Sequence, residues 1–213
     1  MTQAIPTETE DAQQKVDRAI AQLRNGGFVI VFDDTTRENE GDLIIGAEHM
    51  TTAAMQTMLG LTSGVVCVSM PFHRTVDLGL HQMVEHNTGL HKTAFTISVD
   101  LKRQSTTGIS AEERARTIRA LANSSTVPDD LARPGHIFPL CANIGGVLAR
   151  PGHTEASSEL SLLAGLSGVT ALCEIVRKDW SMARYDDLIE LSKRLSYPLI
   201  SVADLAAYLI AGR

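Results

Sequence analysis

Ten residues of the chain, Asp33-Asp-Thr-Thr-Arg-Glu-Asn-Glu-Gly-Asp42, hold five carboxylates (Asp33, Asp34, Glu38, Glu40 and Asp42) and one base, Arg37. A solvated hairpin loop also favours Asp, Asn and Gly. Five crowded acids repel one another, however, and a simple turn does not need them. Two kinds of chemistry relieve the crowding. A hard divalent cation such as Mg²⁺ takes oxygen ligands, or one carboxyl keeps its proton and serves as a general acid or base. The EF-hand progression of D-x-D-x-D-G with a Glu at position twelve is not met.

A second feature is an internal echo. Ala132-Arg-Pro-Gly-His136 recurs as Ala149-Arg-Pro-Gly-His153 with different flanks, so a short loop repeats and not a domain. Proline fixes φ, glycine admits a close backbone approach, and Arg and His project from the loop. The second copy leads into a predicted helix at His153-Thr154-Glu155. An arginine, a glycine and free amides at a helix N-terminus make a receptor for a phosphate dianion. Either copy alone also reads as a tight turn with surface Arg and His. Glu174, inside the apolar run Ala171–Val176, is costly to bury unless paired; it is a tuned acid or base, or an outward residue of an alternating strand. Cys67 reads as a small buried hydrophobe. Ser105–Ser110 fits an anion cradle or a loop closing on a helix cap. His81, His86 and His91 have a spacing that suits no single helix face.

These groups need a scaffold, and the apolar pattern supplies one. Residues 11–24 read as an amphipathic helix stopped by Gly26-Gly27. Phe28–Phe32, Leu43–Ala47, Val65–Val68, Phe95–Val99, Val169–Val176 and Leu199–Val202 read as strands. Helices are expected from Thr51 or Thr52 to Leu59, from the Ser110/Glu113 capping box, over 155–164, over 186–195, and at the C-terminus. A loop carrying Pro128 and Pro134 follows the Ser110 helix. The alternation predicts a layered α/β domain with helices covering a largely buried sheet.

The 213 residues suit one domain, and 44% hydrophobic content supplies a core. A net charge of −6 and only 4% aromatic residues argue against nucleic acid or anionic lipid as the main partner. Cys67, Cys141 and Cys173 form no C-x-x-C pair, so neither a disulfide framework nor a thiolate zinc site fits. No signal-like or membrane-spanning run is present, and the expected location is the cytoplasm.

In order, Asp33-Asp34, Arg37-Glu-Asn-Glu-Gly-Asp42, Thr106-Thr-Gly-Ile-Ser110, Arg133-Pro-Gly-His-Ile-Phe-Pro-Leu140, Gly145-Gly-Val-Leu148, Gly152-His-Thr-Glu-Ala156, Cys173-Glu174 and Met182-Ala-Arg184 form a specific set. From about residue 13 to 208 the chain closely resembles the 3,4-dihydroxy-2-butanone 4-phosphate synthase family of riboflavin biosynthesis. The resemblance implies an α/β (α+β) fold: a single three-layer domain over 1–213 with a mixed sheet, and 1–10 as a flexible N-terminus. It also implies a homodimer without the fused GTP cyclohydrolase of some relatives. The implied reaction converts D-ribulose 5-phosphate to L-3,4-dihydroxy-2-butanone 4-phosphate and formate with Mg²⁺. Glu38 and His153 match the family's metal ligands; the imidazole brings in Mn²⁺ as an alternative. Arg37, Glu38, Asp42, Thr107, Glu174 and the run Arg150, Pro151, Gly152, His153 and Thr154 match substrate-binding positions. His136 and Glu174 match catalytic positions, with Glu40 and Cys67 as further members of that set.

The chain departs from the family pattern at Lys92, at Cys141 in place of an arginine, at Gly168-Val-Thr170, and at Trp180 in place of a glycine. None falls in the central motifs. Two other readings share some features: another metal-dependent sugar-phosphate isomerase or aldolase, and a non-catalytic nucleotide- or RNA-binding relative.

Overall fold

A computed structural model describes residues 11–212; the flexible N-terminus expected at 1–10 lies outside the described residues. Helix α1 (Ala12–Arg24) buries Val16, Ala19, Ile20 and Leu23, the spacing of one helical face, and stops before Gly26 at φ 78°. Strands β1 (Val29–Phe32) and β2 (Gly41–Gly46) pair antiparallel with Phe32 opposite Gly41. The acidic run is therefore their hairpin connection. Helix α2 (Thr52–Leu61) is capped by the Thr51 hydroxyl, and β3 (Cys67–Met70) and α3 (Phe72–Asp77) follow. The strand expected at Phe95–Val99 forms only as β4 (Val99–Leu101), because Phe95 and Thr96 make isolated single bridges.

Helix α4 (Ala111–Ala122) starts at the expected Ser110 cap, whose hydroxyl accepts the Glu113 amide at 3.2 Å. The segment with Pro134, expected as loop, lies within β5 (Leu131–Cys141). The ladder explains how: Asp100 pairs with Ala132 and Val99 with Ile137, so Arg133–His136 bulge out of register. A bulge tolerates a proline that a regular ladder would reject. A short α5 (Gly146–Ala149), not among the expected helices, comes next, and the rest follows the sequence pattern: α6 (His153–Leu163), β6 (Thr170–Glu174), α7 (Tyr185–Leu195), β7 (Leu199–Ser201) and α8 (Val202–Ala211).

The strands form one mixed sheet in the order β4-β5-β3-β6-β2-β1-β7. Both faces are covered, so the strands read as unbroken apolar runs and not as alternating ones. Ile30, Leu43, Ile45, Ala171 and Cys173 point to one core, with Met55 and Met58 of α2, Ile118 and Leu121 of α4, and Leu188 of α7. Val29, Val31, Ile44, Leu172 and Cys67 point to the other, against Val16 and Leu23 of α1, Ala156 and Leu160 of α6, and Leu205 of α8. The result is the expected three-layer α/β fold. No helix among the described residues is long and apolar enough to cross a membrane.

Candidate active site

Strand parity puts the first site residues together. Asp42 and Glu174 lie directly opposite each other where β2 and β6 pair. With a two-residue period they share the sheet face of Ile44 and Leu172, the face that α6 covers. Cys67 of β3 pairs with Leu172 and joins that face. A small cleft, open to solvent, lies here, lined by Arg37, Glu38, Asp42, Cys67, His153, Thr154 and Glu174 among others.

Above this floor stands His153, the first residue of α6 and only 5% exposed. Its Nδ1 is 3.2 Å from Glu38 Oε2. Asp33 shapes the loop that delivers Glu38: its carboxylate accepts the Glu38 amide at 3.1 Å, the Glu40 amide at 3.0 Å and the Arg37 guanidinium at 2.8 Å. Arg184 closes the loop from outside, donating to the Glu38 and Asn39 carbonyls. Ligand atoms of Asp33, Glu38 and His153 all fall within 4.8 Å of one another.

The electrostatics follow from that crowding. Burial lowers the affinity of His153 for a proton, but Asp42, Glu38 and Asp33 outweigh burial and lift its pKa to about 9. Glu38 is the converse: burial raises it, and the His153 hydrogen bond and Arg37 pull it down to about 2. Asp42 is buried and sits among carboxylates, which moves it to about 7 despite the attraction of His153. Glu40 is raised by burial and by the charges of Glu38 and Glu174. Burial pushes the Cys67 thiol well up and Cys173 to about 11, so both stay neutral. The site thus has a surplus of negative charge, a demand for a cation, and one carboxyl poised near neutrality.

At the rim the second Ala-Arg-Pro-Gly-His copy meets the acidic loop. A Cβ added to Gly152 would lie 2.5 Å from Arg150 Nη1, 3.0 Å from Glu155 Oε2 and 3.1 Å from Arg37 Nη2, so both guanidinium groups and the Glu155 carboxylate converge on the α6 N-terminus. No side chain caps that first turn. Glu155, buried one turn in, fixes Arg150 through a 2.6 Å ion pair, while Arg150 Nη2 donates to the His91 carbonyl and the Thr93 hydroxyl at 3.1 Å. Two guanidinium groups and uncapped amides at one helix start form an anion receptor.

His136 and Thr107 are placed elsewhere. Neither lines the cleft. His136 sits on the β5 bulge with its side chain 43% exposed, bonded to Asp100. Thr107 lies in the loop before α4, where the anion that Thr106 receives is Glu113 of the same chain. Several residues about the cleft escape sequence reasoning. Asp33 was visible as one acid among five and as the start of the Asp33-Asp34 motif, with no role attached. Ser63, whose hydroxyl donates to Glu174 Oε2 at 2.8 Å, Thr93 and Phe95 carry no local signal, because the fold alone brings them there, and Arg184 stood out only as the end of the Met182-Ala-Arg184 motif, with no role attached.

A polar cleft floored by opposed carboxylates and rimmed by two arginines on a helix start belongs to an α/β enzyme that moves protons on a small anionic substrate. The sequence model described as 3,4-dihydroxy-2-butanone 4-phosphate synthase matches residues 17–208. Curated proteins of that name are 44% identical over 209 residues in Tolumonas auensis (98% of this chain, 96% of that protein) and 45% over 208 in Nitratidesulfovibrio vulgaris (98% and 97%). A crystal structure of such a synthase in complex with two magnesium ions superposes with a TM-score of 0.89 at 42% identity, covering 91% of this chain and 95% of that one. The Candida albicans synthase gives a TM-score of 0.84 at 43% identity, with 91% and 96% covered. The chain belongs to the 3,4-dihydroxy-2-butanone 4-phosphate synthase family.

Proposed function

We propose that this chain, as a single catalytic domain over 1–213, converts D-ribulose 5-phosphate to L-3,4-dihydroxy-2-butanone 4-phosphate and formate in riboflavin biosynthesis. It works in the cytoplasm as a homodimer with Mg²⁺, for which Mn²⁺ substitutes. The observation that carries this reading is the convergence at the start of α6 of Glu38 and His153 with Arg37 and Arg150. The family assignment favours it over the isomerase and RNA-binding alternatives.

The residues suit a divalent cation. The donors are carboxylate oxygens with one imidazole, His153 Nε2 and Asp42 Oδ1 are buried without partners, and the surplus negative charge raises His153. Glu38 and His153 would hold the ion, which when bound acts as a Lewis acid toward substrate oxygens. The chain's own groups do the rest. Arg37, Arg150, Pro151, Gly152 and Thr154 hold the phosphate end, the arginines as paired donors. Product and formate together contain every atom of the substrate, so the chain must move protons and transiently release and reuse water. That needs more than one acid and base. Asp42, held near neutrality, is suited to exchange a proton next to the carbonyl. Glu174, oriented by Ser63, and Glu40 serve successive transfers, and the neutral Cys67 thiol forms a weakly polar wall beside them. His136 and Thr107 stand outside this cleft, and the family resemblance alone supports their catalytic and substrate-binding roles.

A formate assay with D-ribulose 5-phosphate tests the reading. Formate should appear with Mg²⁺, stop on chelation and return on adding Mg²⁺ or Mn²⁺. Absence of formate under all three conditions would overturn it.

A further inference from the structure

Asp100 does more than belong to a strand. It lies on β4 and is 8% exposed, yet both carboxylate oxygens go to one residue. Oδ1 accepts the His136 backbone amide at 2.9 Å, and Oδ2 is 2.7 Å from His136 Nδ1. Three features serve this contact. The β5 bulge extrudes Arg133–His136 opposite Asp100. Gly135, held by the Ser98 hydroxyl at 3.1 Å, is pressed so closely on the Val99–Asp100 backbone that a Cβ would collide with it. Gly108, at φ 83°, is packed against the Asp100 carboxylate itself, where a Cβ would displace it. The carboxylate is thus boxed between two loops and spends one acceptor on the His136 amide and the other on its imidazole.

We propose that Asp100 is the positioning residue for His136, fixing the ring orientation and holding the proton on Nδ1 so that Nε2 presents its lone pair outward. An ionised carboxylate offers no donor, so Nδ1 must donate and Nε2 is left to accept a proton from substrate. A third group that orients a base this way sets which nitrogen does the chemistry. The proposal rests on the reading of His136 as catalytic.

The test separates the two ideas. In ¹⁵N NMR of the substrate-free protein, His136 should show the Nδ1–H tautomer, and Asp100→Asn should shift it toward Nε2–H. That measurement needs no turnover. In the formate assay, Asp100→Asn should lower kcat on the order of 10²-fold, the scale of general acid–base catalysis, with KM little changed. Asp100→Glu should recover part of the loss by restoring the carboxylate. A wild-type Nε2–H tautomer would overturn the proposal even if the variants failed to fold. So would wild-type kcat in Asp100→Asn alongside an inactive His136→Gln. A fully active His136→Gln would instead overturn the catalytic reading of His136 and leave the tautomer assignment to stand on the NMR.

Discussion

The two Ala-Arg-Pro-Gly-His segments have the same five residues and opposite fates. The first, 132–136, is a bulge in a strand, with an imidazole whose side chain is 43% exposed. The second, 149–153, runs onto a helix, and its imidazole is 6% exposed. Neighbours decide the difference. Asp100 and the β4 register capture the first copy, whereas Glu155 and the acidic loop capture the second. The arginines diverge likewise. Arg133 is spent on carbonyls of Leu78, Pro128 and Leu131, a structural clamp, while Arg150 converges with Arg37 on the helix start. A short motif supplies side chains and backbone freedom, but burial and partner charge assign the role.

The largest break in this comparison should come from the second copy. His153→Ala and Glu38→Ala each remove a proposed cation-holding group, and Lewis-acid stabilisation is worth several kcal/mol. Formate production should fall by about 10³-fold or more, at 1.36 kcal/mol per factor of ten. Circular dichroism should remain that of the wild type. Near-normal turnover of either variant with Mg²⁺ would refute the cation assignment. Next comes the first copy: His136→Gln should lower kcat on the order of 10²-fold and leave Mg²⁺ affinity unchanged by calorimetric titration. His153→Gln should weaken that affinity. Equal effects of both on Mg²⁺ binding would erase the distinction between the two copies.

The glycines sharpen it further. Gly135→Ala would drive a methyl into the backbone of Val99 and Asp100, which has nowhere to go. Overpacking of this kind costs about 1–3 kcal/mol, read as a lower denaturation midpoint. Gly152→Ala would meet only the flexible ends of Arg150, Glu155 and Arg37. Its expected cost is to substrate binding: KM for D-ribulose 5-phosphate should rise about tenfold, the equivalent of one charge-assisted hydrogen bond, with the denaturation midpoint little changed. The same substitution in the same motif should thus damage folding in one copy and recognition in the other.

Much of the scaffold was legible because both sheet faces are buried. Strands such as Val29–Phe32 and Thr170–Glu174 then stand out as apolar runs, and the caps at Thr51 and Ser110 mark their helices. Within the site, Glu38, Asp42, His153 and Arg150 stood out because acids and cations were conspicuously spaced. The Pro134 segment misled because proline argues against a strand unless a bulge is foreseen, and a bulge depends on a partner strand far away in sequence. Ser63, Thr93 and Asp100 were silent for a related reason. Their types are ordinary, and only the packing of β2 on β6, or of β4 on β5, gives them an adversary or a client. Sequence reports chemistry well where residue types are unusual for their place, and poorly where ordinary residues are positioned by tertiary contacts.

The smallest expected effect concerns the support of the first copy alone. Glu113 ties down the loop before α4: its carboxylate accepts the Thr106 amide and hydroxyl and the Ser110 hydroxyl. Those bonds, the Thr106 amide foremost, hold its pKa at about 2 against an ordinary 4.5. The loop continues to Gly108, which packs on Asp100, so Glu113 braces the His136 side of the molecule from behind. Because the folded pKa is depressed, the stabilisation is fully present above about 4.5 and is lost as pH falls toward 2. Acid denaturation of wild type and Glu113→Gln should therefore differ in shape: the wild type loses stability through that window, and the variant, already without the carboxylate, loses less there. Amide exchange at Thr106 should be faster in the variant at pH 6, while amides in the first turn of α6 should exchange as in the wild type. Faster exchange at both places would mean that the two copies are braced by one common element, and the contrast between them would have to be redrawn.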